Sequence, residues 1–263
     1  MKDILWVIQD SGGRHYNWVA LMNAIKQCNS KGIFCKIEDL KYLKNDKLNI
    51  VIGGDDFLEE AEKNIDIESI IFHDEKFFNI SNYENMWKEN FLNYGFRAVP
   101  FEKLHEISRG QYFIRPVHDN KCFDGKIYMI PEDIPRIEKL CSKDRCKYRD
   151  QPCVCLAQVR NIELEWRAVI INSQIITACQ YAEKSGTLIN KENIPDSLME
   201  FCKKQIQNIS APIAWVIDIA YAEKEYKILE CNIFNASNFY DCDRKAIVEA
   251  LENYSRKEVD DFG

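Results

Sequence analysis

The chain has 263 residues, a net charge of -7 and 46% hydrophobic residues, which is typical of a globular chain long enough for one large domain or two smaller ones. This composition excludes a disordered or fibrous protein, and the acidic balance makes nucleic acid and anionic lipid poor partners. No apolar run approaches the roughly 20 residues that span a membrane. We therefore expect a cytoplasmic protein without nucleic-acid or membrane partners, and the sequence leaves its oligomeric state open.

The 11 cysteines favour reduced thiols over a disulfide framework, because their number is odd and they are scattered along a long chain. Cys141, Cys146, Cys153 and Cys155 fall within fifteen residues. Their spacing is not that of paired Cys-x2-Cys zinc knuckles, so buried or loop thiols are the preferred interpretation over zinc ligands. The role of this cluster stays open.

Residues 1–80 alternate apolar strands with a helical pattern. Strands are predicted over residues 4–8, 49–52 and 69–72, and a helix over residues 18–28. Helix-rich connections between apolar strands predict a small α/β domain with a parallel sheet. The glycine pairs at residues 12–13 and 53–54 follow strands and are interpreted as tight turns or caps, because neither fits a nucleotide-binding fingerprint.

From residue 81 to residue 263 the pattern changes to a second, α+β domain with largely antiparallel strands. A helix is predicted over residues 83–94, with Trp87, Phe91 and Tyr94 on an apolar stripe and Gly95 as its stop. Further helices are predicted over residues 132–141, 195–207 and 244–254. Further strands are predicted over residues 111–117, 126–130, 152–159, 164–171, 174–181, 215–221 and 226–232.

Polar side chains interrupt the hairpin over residues 215–232. Glu230 and Asn232 are two residues apart, so they project from one face of their strand. A three-residue loop at 223–225 would place Asp218 opposite Glu230 on that face, whereas a two-residue loop would turn Asp218 away. In the first register three oxygen-bearing side chains converge, as in a Mg²⁺ site; in the alternative they meet solvent or a lysine at strand ends.

Cations gather in two further places. Arg115, Lys121 and Lys126 surround a turn-rich loop, where an anion such as a nucleoside triphosphate would relieve their repulsion; a solvated loop is the alternative. Glu165 and Arg167 share one face of a strand, which suits an arginine that grips a phosphoryl oxygen and equally suits a structural ion pair.

Seven motifs in order resemble the ATP-grasp superfamily, most closely the clade whose ATP site is named for an arginine and two lysines. The resemblance covers about residues 83–254. The motifs are Phe113-Ile-Arg115-Pro, Lys121-x-Phe123-x-Gly125, Glu165-Trp-Arg167, Tyr181, Val216-Ile-Asp218, Glu230-x-Asn232 and Phe234-Asn-Ala-Ser-x-Phe-Tyr240. The first motif carries Arg115 where the wider superfamily often has a lysine.

The resemblance implies an ATP-grasp fold of α+β type, with the nucleotide between two lobes. It implies that ATP is contacted by Arg115, Lys121, Lys126, Val154, Leu156, Glu165 and Arg167. Of these residues, Lys121 and Arg167 would be catalytic. It implies that Mg²⁺ is held by Asp218, Glu230 and Asn232, and that the acceptor substrate meets Asn235, Ser237 and Tyr240.

The reaction implied is ligation of a carboxylate to an amine. ATP phosphorylates the carboxylate, and the amine attacks the acyl phosphate to give an amide, ADP and phosphate. Positioned cations and Mg²⁺ stabilise the phosphoryl charge, so no protein nucleophile is needed. The substrates would be small-molecule or peptide carboxylates and amines of unknown identity. A kinase on the same scaffold and a non-catalytic ATP-binding module are the alternatives.

Overall fold

A computed structural model describes most of the chain. The described residues are 3–12, 16–43, 46–64, 69–71, 77–117, 123, 125–141, 154–184, 186–190 and 193–262. Within them the helices are α1 Tyr16–Gln27, α2 Asp55–Lys63, α3 Ile80–Trp87, α4 Ile134–Cys141, α5 Asp196–Ile206 and α6 Arg244–Phe262. The strands are β1 Asp3–Gln9, β2 Lys31–Cys35, β3 Lys47–Ile52, β4 Ser69–Ile71, β5 Arg97–Val99, β6 Gly110–Pro116, β7 Lys126–Ile130, β8 Val154–Ala157, β9 Ile162–Ile171, β10 Gln174–Glu183, β11 Gly186–Asn190, β12 Ala214–Ala222 and β13 Glu225–Ile233.

The N-terminal sheet is parallel, as predicted, with the strand order β2-β1-β3-β4. Its strands bury β-branched and aromatic side chains such as Trp6 and Ile50. Helix α1 covers them because Leu21 and Ile25 recur at helical spacing on its buried face. Strand β2 was not predicted, since its five residues begin with Lys-Gly and only three of them are apolar.

The remaining strands form two sheets. One has five strands in the order β11-β10-β9-β12-β13, and the other has four in the order β5-β8-β6-β7. Strand β10 pairs antiparallel with β11, and the neighbouring strands of the four-stranded sheet are also antiparallel, which confirms the α+β prediction for this part of the chain. Strands β5 and β11 were not predicted, and the predicted strand over residues 152–159 is described as the shorter β8.

The prediction of one helix over residues 83–94 is wrong beyond Trp87. Helix α3 ends there, a 3₁₀ turn follows at Lys88–Asn90, and Lys88 has a φ of 47°. Tertiary pairing overrides the helical pattern, because Phe91 bridges Ile228 and the next amide donates to the same strand residue at 2.8 Å. Gly95, with a φ of 77°, forms a turn in the left-handed region and not the end of this helix.

The chain divides into two compact units. The first comprises Met1–Asp74, Glu165–Asp218 and Cys231–Gly263, and the second comprises Glu75–Leu164 and Ile219–Glu230. The core of the first unit combines α1, α6, the N-terminal sheet and side chains of β9, β10 and β12. The core of the second unit lies under the four-stranded sheet and includes Ile114, Tyr128 and Ile137. A domain border near residue 80 stays a prediction.

In the part of the chain that the structure describes, no helix is both long and apolar enough to cross a bilayer.

Candidate active site

The centre of the candidate site in the first unit is a buried ion pair between β9 and β12. Arg167 donates from Nε to Asp218 Oδ1 at 2.7 Å and from Nη2 to Asp218 Oδ2 at 2.6 Å. Its Nη1 donates to the carbonyl of Asn238 at 2.7 Å. All three guanidinium nitrogens therefore donate hydrogen bonds, which fix the orientation of the group.

Burial sets the electrostatics of this pair. Arg167 is 6% exposed and Asp218 is 1% exposed. Burial acts to lower the pKa of Arg167, but the charge and hydrogen bonds of Asp218 outweigh it, and the pKa is raised above its usual value. The guanidinium is thus a permanent, preorganised cation of the kind that stabilises charge on a phosphoryl group.

A stacked pair of tyrosine rings lies next to the guanidinium. The rings of Tyr181 and Tyr240 are stacked, with centroids 4.7 Å apart and planes inclined by 5°. The Cζ atom of Arg167 lies 5.0 Å from the centroid of Tyr240 and 5.7 Å from that of Tyr181, within range of a cation–π contact. The hydroxyl of Tyr181 donates to Glu165 at 2.6 Å, and burial, reinforced by the charges of Asp218 and Glu165, raises the pKa of Tyr181. Tyr181 therefore remains a neutral donor at physiological pH.

Residues 235–240 follow β13 and include the three predicted acceptor-contacting residues. Asn235 and Ser237 are buried, and the Ser237 hydroxyl donates to the carbonyl of Ile233 at 2.8 Å. Tyr240 is half-buried and has a φ of 44°. Of the three predicted residues, Tyr240 is therefore the most accessible to a substrate.

Asn17 of α1 holds this segment and was missed in the sequence. Its Nδ2 donates to the carbonyl of Ser237 at 2.8 Å, and its Oδ1 accepts from the amide of Phe239 at 3.3 Å. Arg244 adds a hydrogen bond from Nη2 to the carbonyl of Tyr240 at 2.7 Å. The signal available in the sequence was an asparagine one turn before Leu21 on the apolar face of α1, because a buried amide needs partners.

The second unit contains another ion pair of predicted site residues. Arg115 of β6 donates from Nη1 to Glu230 Oε2 of β13 at 3.0 Å, and both side chains are largely buried. Lys126 is exposed and lies opposite Ile114 in the β6–β7 register, so by strand alternation it projects from the other face of the sheet than Arg115. Lys121 lies outside the described residues.

The predicted adenine strand is an inner strand of the four-stranded sheet. Val154 and Leu156 are buried in its hydrophobic cluster. Cys155 lies between them on the other face, and burial raises its pKa to about 12. Of the cysteine cluster predicted from the sequence, Cys146 and Cys153 lie outside the described residues, as does the side chain of Cys141.

The predicted magnesium ligands fit the ion in part. Strand β12 ends at Ala222 and β13 begins at Glu225, so the loop is the two-residue alternative, with both Glu223 and Lys224 at positive φ. The loop length therefore does not place Asp218 on the same strand face as Glu230. Glu230 and Asn232 remain on one face, because they are two residues apart on the same strand, and both carry hard oxygen donors.

Asp218 remains chemically suited to a cation. A carboxylate has about four lone-pair positions, so it can accept from Arg167 and bind an ion at the same time. Within the described part of the chain no group of three His, Cys, Asp or Glu side chains could hold a metal ion. That finding does not decide the predicted trio, because its third member is an asparagine.

The sequence profile of the ATP-grasp domain, R2K clade family 2, matches residues 91–250. This match covers more than half of the chain, so the chain belongs to this family of ATP-grasp domains. The resemblance predicted from the motifs is confirmed, and so is the ATP-grasp fold. Among curated proteins no sequence matches the chain significantly.

Solved ATP-grasp ligases share the fold at low sequence identity. The D-alanine–D-alanine ligase from Bacillus anthracis in complex with ATP has a TM-score of 0.60 and 10% identity, and the match covers 100% of both chains. The ATP-grasp ligase PsnB in complex with a minimal precursor has a TM-score of 0.58 and 12% identity over 96% of this chain and 99% of that one. A RimK-domain ATP-grasp protein from Sphaerobacter thermophilus has a TM-score of 0.58 and 7% identity over 87% and 91% of the two chains.

Proposed function

We propose that the protein is an ATP- and Mg²⁺-dependent ligase that joins a carboxylate to an amine through an acyl phosphate. The observation that carries the proposal is the preorganised Arg167. Its guanidinium is locked by Asp218 and directly contacts the segment predicted to meet the acceptor. A buried cation fixed beside an acceptor segment supplies charge stabilisation for phosphoryl transfer to the acceptor.

The nucleotide would be held by the residues that the family resemblance implies. Arg115 and Lys121 would contact the phosphates, whereas Lys126 is assigned by the resemblance alone because it projects from the other face of the sheet than Arg115. Arg115 is already oriented by Glu230, which prepares its planar fork for a phosphoryl oxygen. Val154 and Leu156 are buried, so we propose that they shape the apolar wall near the adenine and do not bind it by polar contacts.

Mg²⁺ would be held by Glu230, Asn232 and Asp218 together with phosphate oxygens. When bound, the ion neutralises charge on the transferred phosphoryl group. Glu230 and Asn232 supply adjacent oxygens on β13, and Asp218 also orients Arg167. These assignments rest on the family resemblance and on the donor chemistry of the three side chains.

The acceptor class follows from what the structural relatives bind. One PsnB structure contains its precursor peptide and AMPPNP, and another contains a minimal precursor with Mg and ADP. D-alanine–D-alanine ligase is named for an amino-acid substrate. We therefore propose an amino acid or a peptide as the acceptor, with Tyr240 as the side chain that touches it and Asn235 and Ser237 as its support.

Hydroxylamine trapping tests the acyl phosphate. The protein is incubated with Mg-ATP, hydroxylamine and pools of amino acids or short peptides, and hydroxamates are measured alongside ADP. We expect hydroxamate in amounts matching ADP, because hydroxylamine attacks an acyl phosphate in place of the amine. A stable phosphorylated product formed without an amine would instead identify a kinase.

A non-catalytic ATP-binding module is the second candidate. It is favoured by the two-residue loop and by the arginine partners of both carboxylates, Asp218 and Glu230. Equilibrium binding of Mg-ATP without ADP production in any acceptor pool would support the module and contradict the ligase.

A further inference from the structure

Two buried cysteines meet behind the candidate site. Cys179 lies on β10 and Cys242 lies two residues before α6, and their sulfur atoms are 3.3 Å apart. Their side chains are 0% and 2% exposed. The Cys242 thiol donates to the sulfur of Cys179, so the two groups are already aligned in contact.

The pair joins the two elements that bear the stacked tyrosines. Tyr181 is two residues beyond Cys179 on β10, and Tyr240 is two residues before Cys242. The Cys179 sulfur also lies 3.9 Å from the carbonyl of Phe239, next to Tyr240. A covalent bond between the sulfurs would therefore fix the Tyr240 segment to β10.

A cavity reaches one member of the pair. It has a volume of about 480 Å³ and is lined by α1 residues such as Asn23 and by the chain around Cys242 and Arg244. This volume is ample for a small oxidant such as hydrogen peroxide, since a water occupies about 30 Å³ of liquid. Cys242 lines this cavity, whereas Cys179 lies behind it.

The pKa values of the two thiols are shifted in opposite directions. The hydrogen bond from Cys242 lowers the pKa of Cys179 and outweighs the opposing effect of burial, with help from the charge of Arg167. The same hydrogen bond, together with burial, raises the pKa of Cys242. Cys179 is thus the more readily ionised thiol, and the thiolate is the form that reacts with peroxide.

We propose that Cys179 and Cys242 are a reversible oxidation site that forms a disulfide with peroxide. Two S–H bonds and the O–O bond break, one S–S bond forms, and the two electrons lost by the sulfurs reduce hydrogen peroxide to two waters. A thiol reductant restores both thiols by exchange. The oxidised form adds a covalent link between the Tyr240 segment and β10 to the hydrogen bonds from Asn17 and Arg244 that hold the segment in the reduced form.

Peptide mapping tests the site directly. The reduced full-length protein is treated with hydrogen peroxide, its remaining thiols are blocked with N-ethylmaleimide, and non-reduced digests are analysed by mass spectrometry. We expect one linked peptide pair containing Cys179 and Cys242, which disappears after dithiothreitol. The proposal would be overturned if Cys179 and Cys242 were recovered alkylated by N-ethylmaleimide after oxidation. A disulfide from either of them to another cysteine would overturn it as well.

Variants give a matched control. Cys179→Ser and Cys242→Ser should each abolish the linked pair. Cys202→Ser should keep it, because Cys202 is buried in α5 and burial raises its pKa to about 12, so it is a poor thiolate. Should a serine variant fail to fold, the wild-type map with and without reductant decides the question by itself.

Hydrogen exchange tests the structural consequence. Amides of residues 238–242 should exchange at least about tenfold more slowly in the oxidised protein than in the reduced protein, because the staple suppresses local opening. Equal exchange in the two forms would overturn the claim that the disulfide fixes this segment. Neither readout requires ATP or an acceptor, so this proposal stands or fails independently of the ligase function.

Discussion

At the scale of single residues, the fixed plane of Arg167 is what distinguishes this site from a flexible cation. Two hydrogen bonds to Asp218 and one to Asn238 define its orientation. Lysine would keep the charge and lose the fork. The chemistry proposed for the site therefore depends on guanidinium geometry and not only on positive charge.

Arg167→Lys should reduce ATP turnover at least about 100-fold and lower the free energy of unfolding by about 1–3 kcal/mol, because a buried carboxylate loses part of its hydrogen bonding. ADP release and urea unfolding measure the two effects. Arg160→Lys is the control, since Arg160 pairs with Glu223 in a partly exposed bridge whose contribution is about 0–1 kcal/mol. Turnover of Arg167→Lys near the wild-type level would contradict the proposed role.

The roles of Asp218 and Glu230 are distinguished by replacing each carboxylate with the corresponding amide. Glu230→Gln should raise the Mg²⁺ concentration for half-maximal ADP release at least about tenfold, because a ligand charge is lost. Asp218→Asn should raise it too and also destabilise the fold by about 3–5 kcal/mol, because Arg167 is left buried without its counter-charge. An unchanged Mg²⁺ requirement in Asp218→Asn would restrict Asp218 to orienting Arg167.

Asn17 is a positioning residue in this account. Asn17→Ala should raise the KM for the acceptor more than it lowers kcat, because the segment that ends at Tyr240 loses two hydrogen bonds to the side chain. The loss of stability should be about 1–3 kcal/mol, since buried main-chain groups lose a partner. Asn23→Ala on the exposed face of the same helix is the control and should change neither quantity.

At the scale of elements, the hairpin loop between β12 and β13 is a strained turn. Glu223 and Lys224 have φ values of 55° and 70°, the pair of positive values that a type I′ turn requires. Glycine adopts this region without the steric cost that a side chain imposes. The chain therefore tolerates strain here to keep a tight two-residue connection.

Lys224→Gly should raise the free energy of unfolding by about 0.5–1 kcal/mol, the difference between relieved strain and added unfolded-state entropy. Urea unfolding measures it. The control is Lys203→Gly on the exposed face of α5, where glycine should destabilise by about 1 kcal/mol. A destabilised Lys224→Gly would show that this loop is not strained.

The sequence predicted those elements whose local pattern agrees with their tertiary setting. Long apolar strands such as β9 and β12 and the helices α1, α4 and α5 were predicted to within a few residues, whereas α6 extends beyond its predicted end at residue 254. Short strands such as β2 and β5 were not, because a few weakly apolar residues gain strand structure only from their neighbours. The residues after Trp87 were assigned to a helix because their apolar spacing continues, whereas pairing with Ile228 decides their structure.

The candidate site was predictable where its residues interrupt apolar strands. Arg167, Asp218 and Glu230 stand out for that reason and Arg115 for its place beside a turn-rich loop. Each of the four lies in an ion pair of two predicted site residues. The partners within these pairs were not predictable, because they join strands far apart in the chain. Asn17 was missed because its contacts lie 220 residues away.

At the scale of the whole molecule, the chain is acidic yet buries an arginine beside a carboxylate in each of its two units. The net charge of -7 disfavours phosphate-rich polymers as partners. Arg115 and Arg167 are each largely buried beside a carboxylate, so the field of each arginine acts locally. The acidic net charge is therefore compatible with the ATP binding that we propose.

The products of turnover show directly whether the protein is a carboxylate–amine ligase. The wild-type protein is incubated with Mg-ATP and mixed amino acids and short peptides, and nucleotide and organic products are quantified together by mass spectrometry. We expect one new amide for each ADP and phosphate released, and loss of all three products in Glu230→Gln at low Mg²⁺. A phosphorylated acceptor without amide, or AMP and pyrophosphate as the nucleotide products, would contradict it.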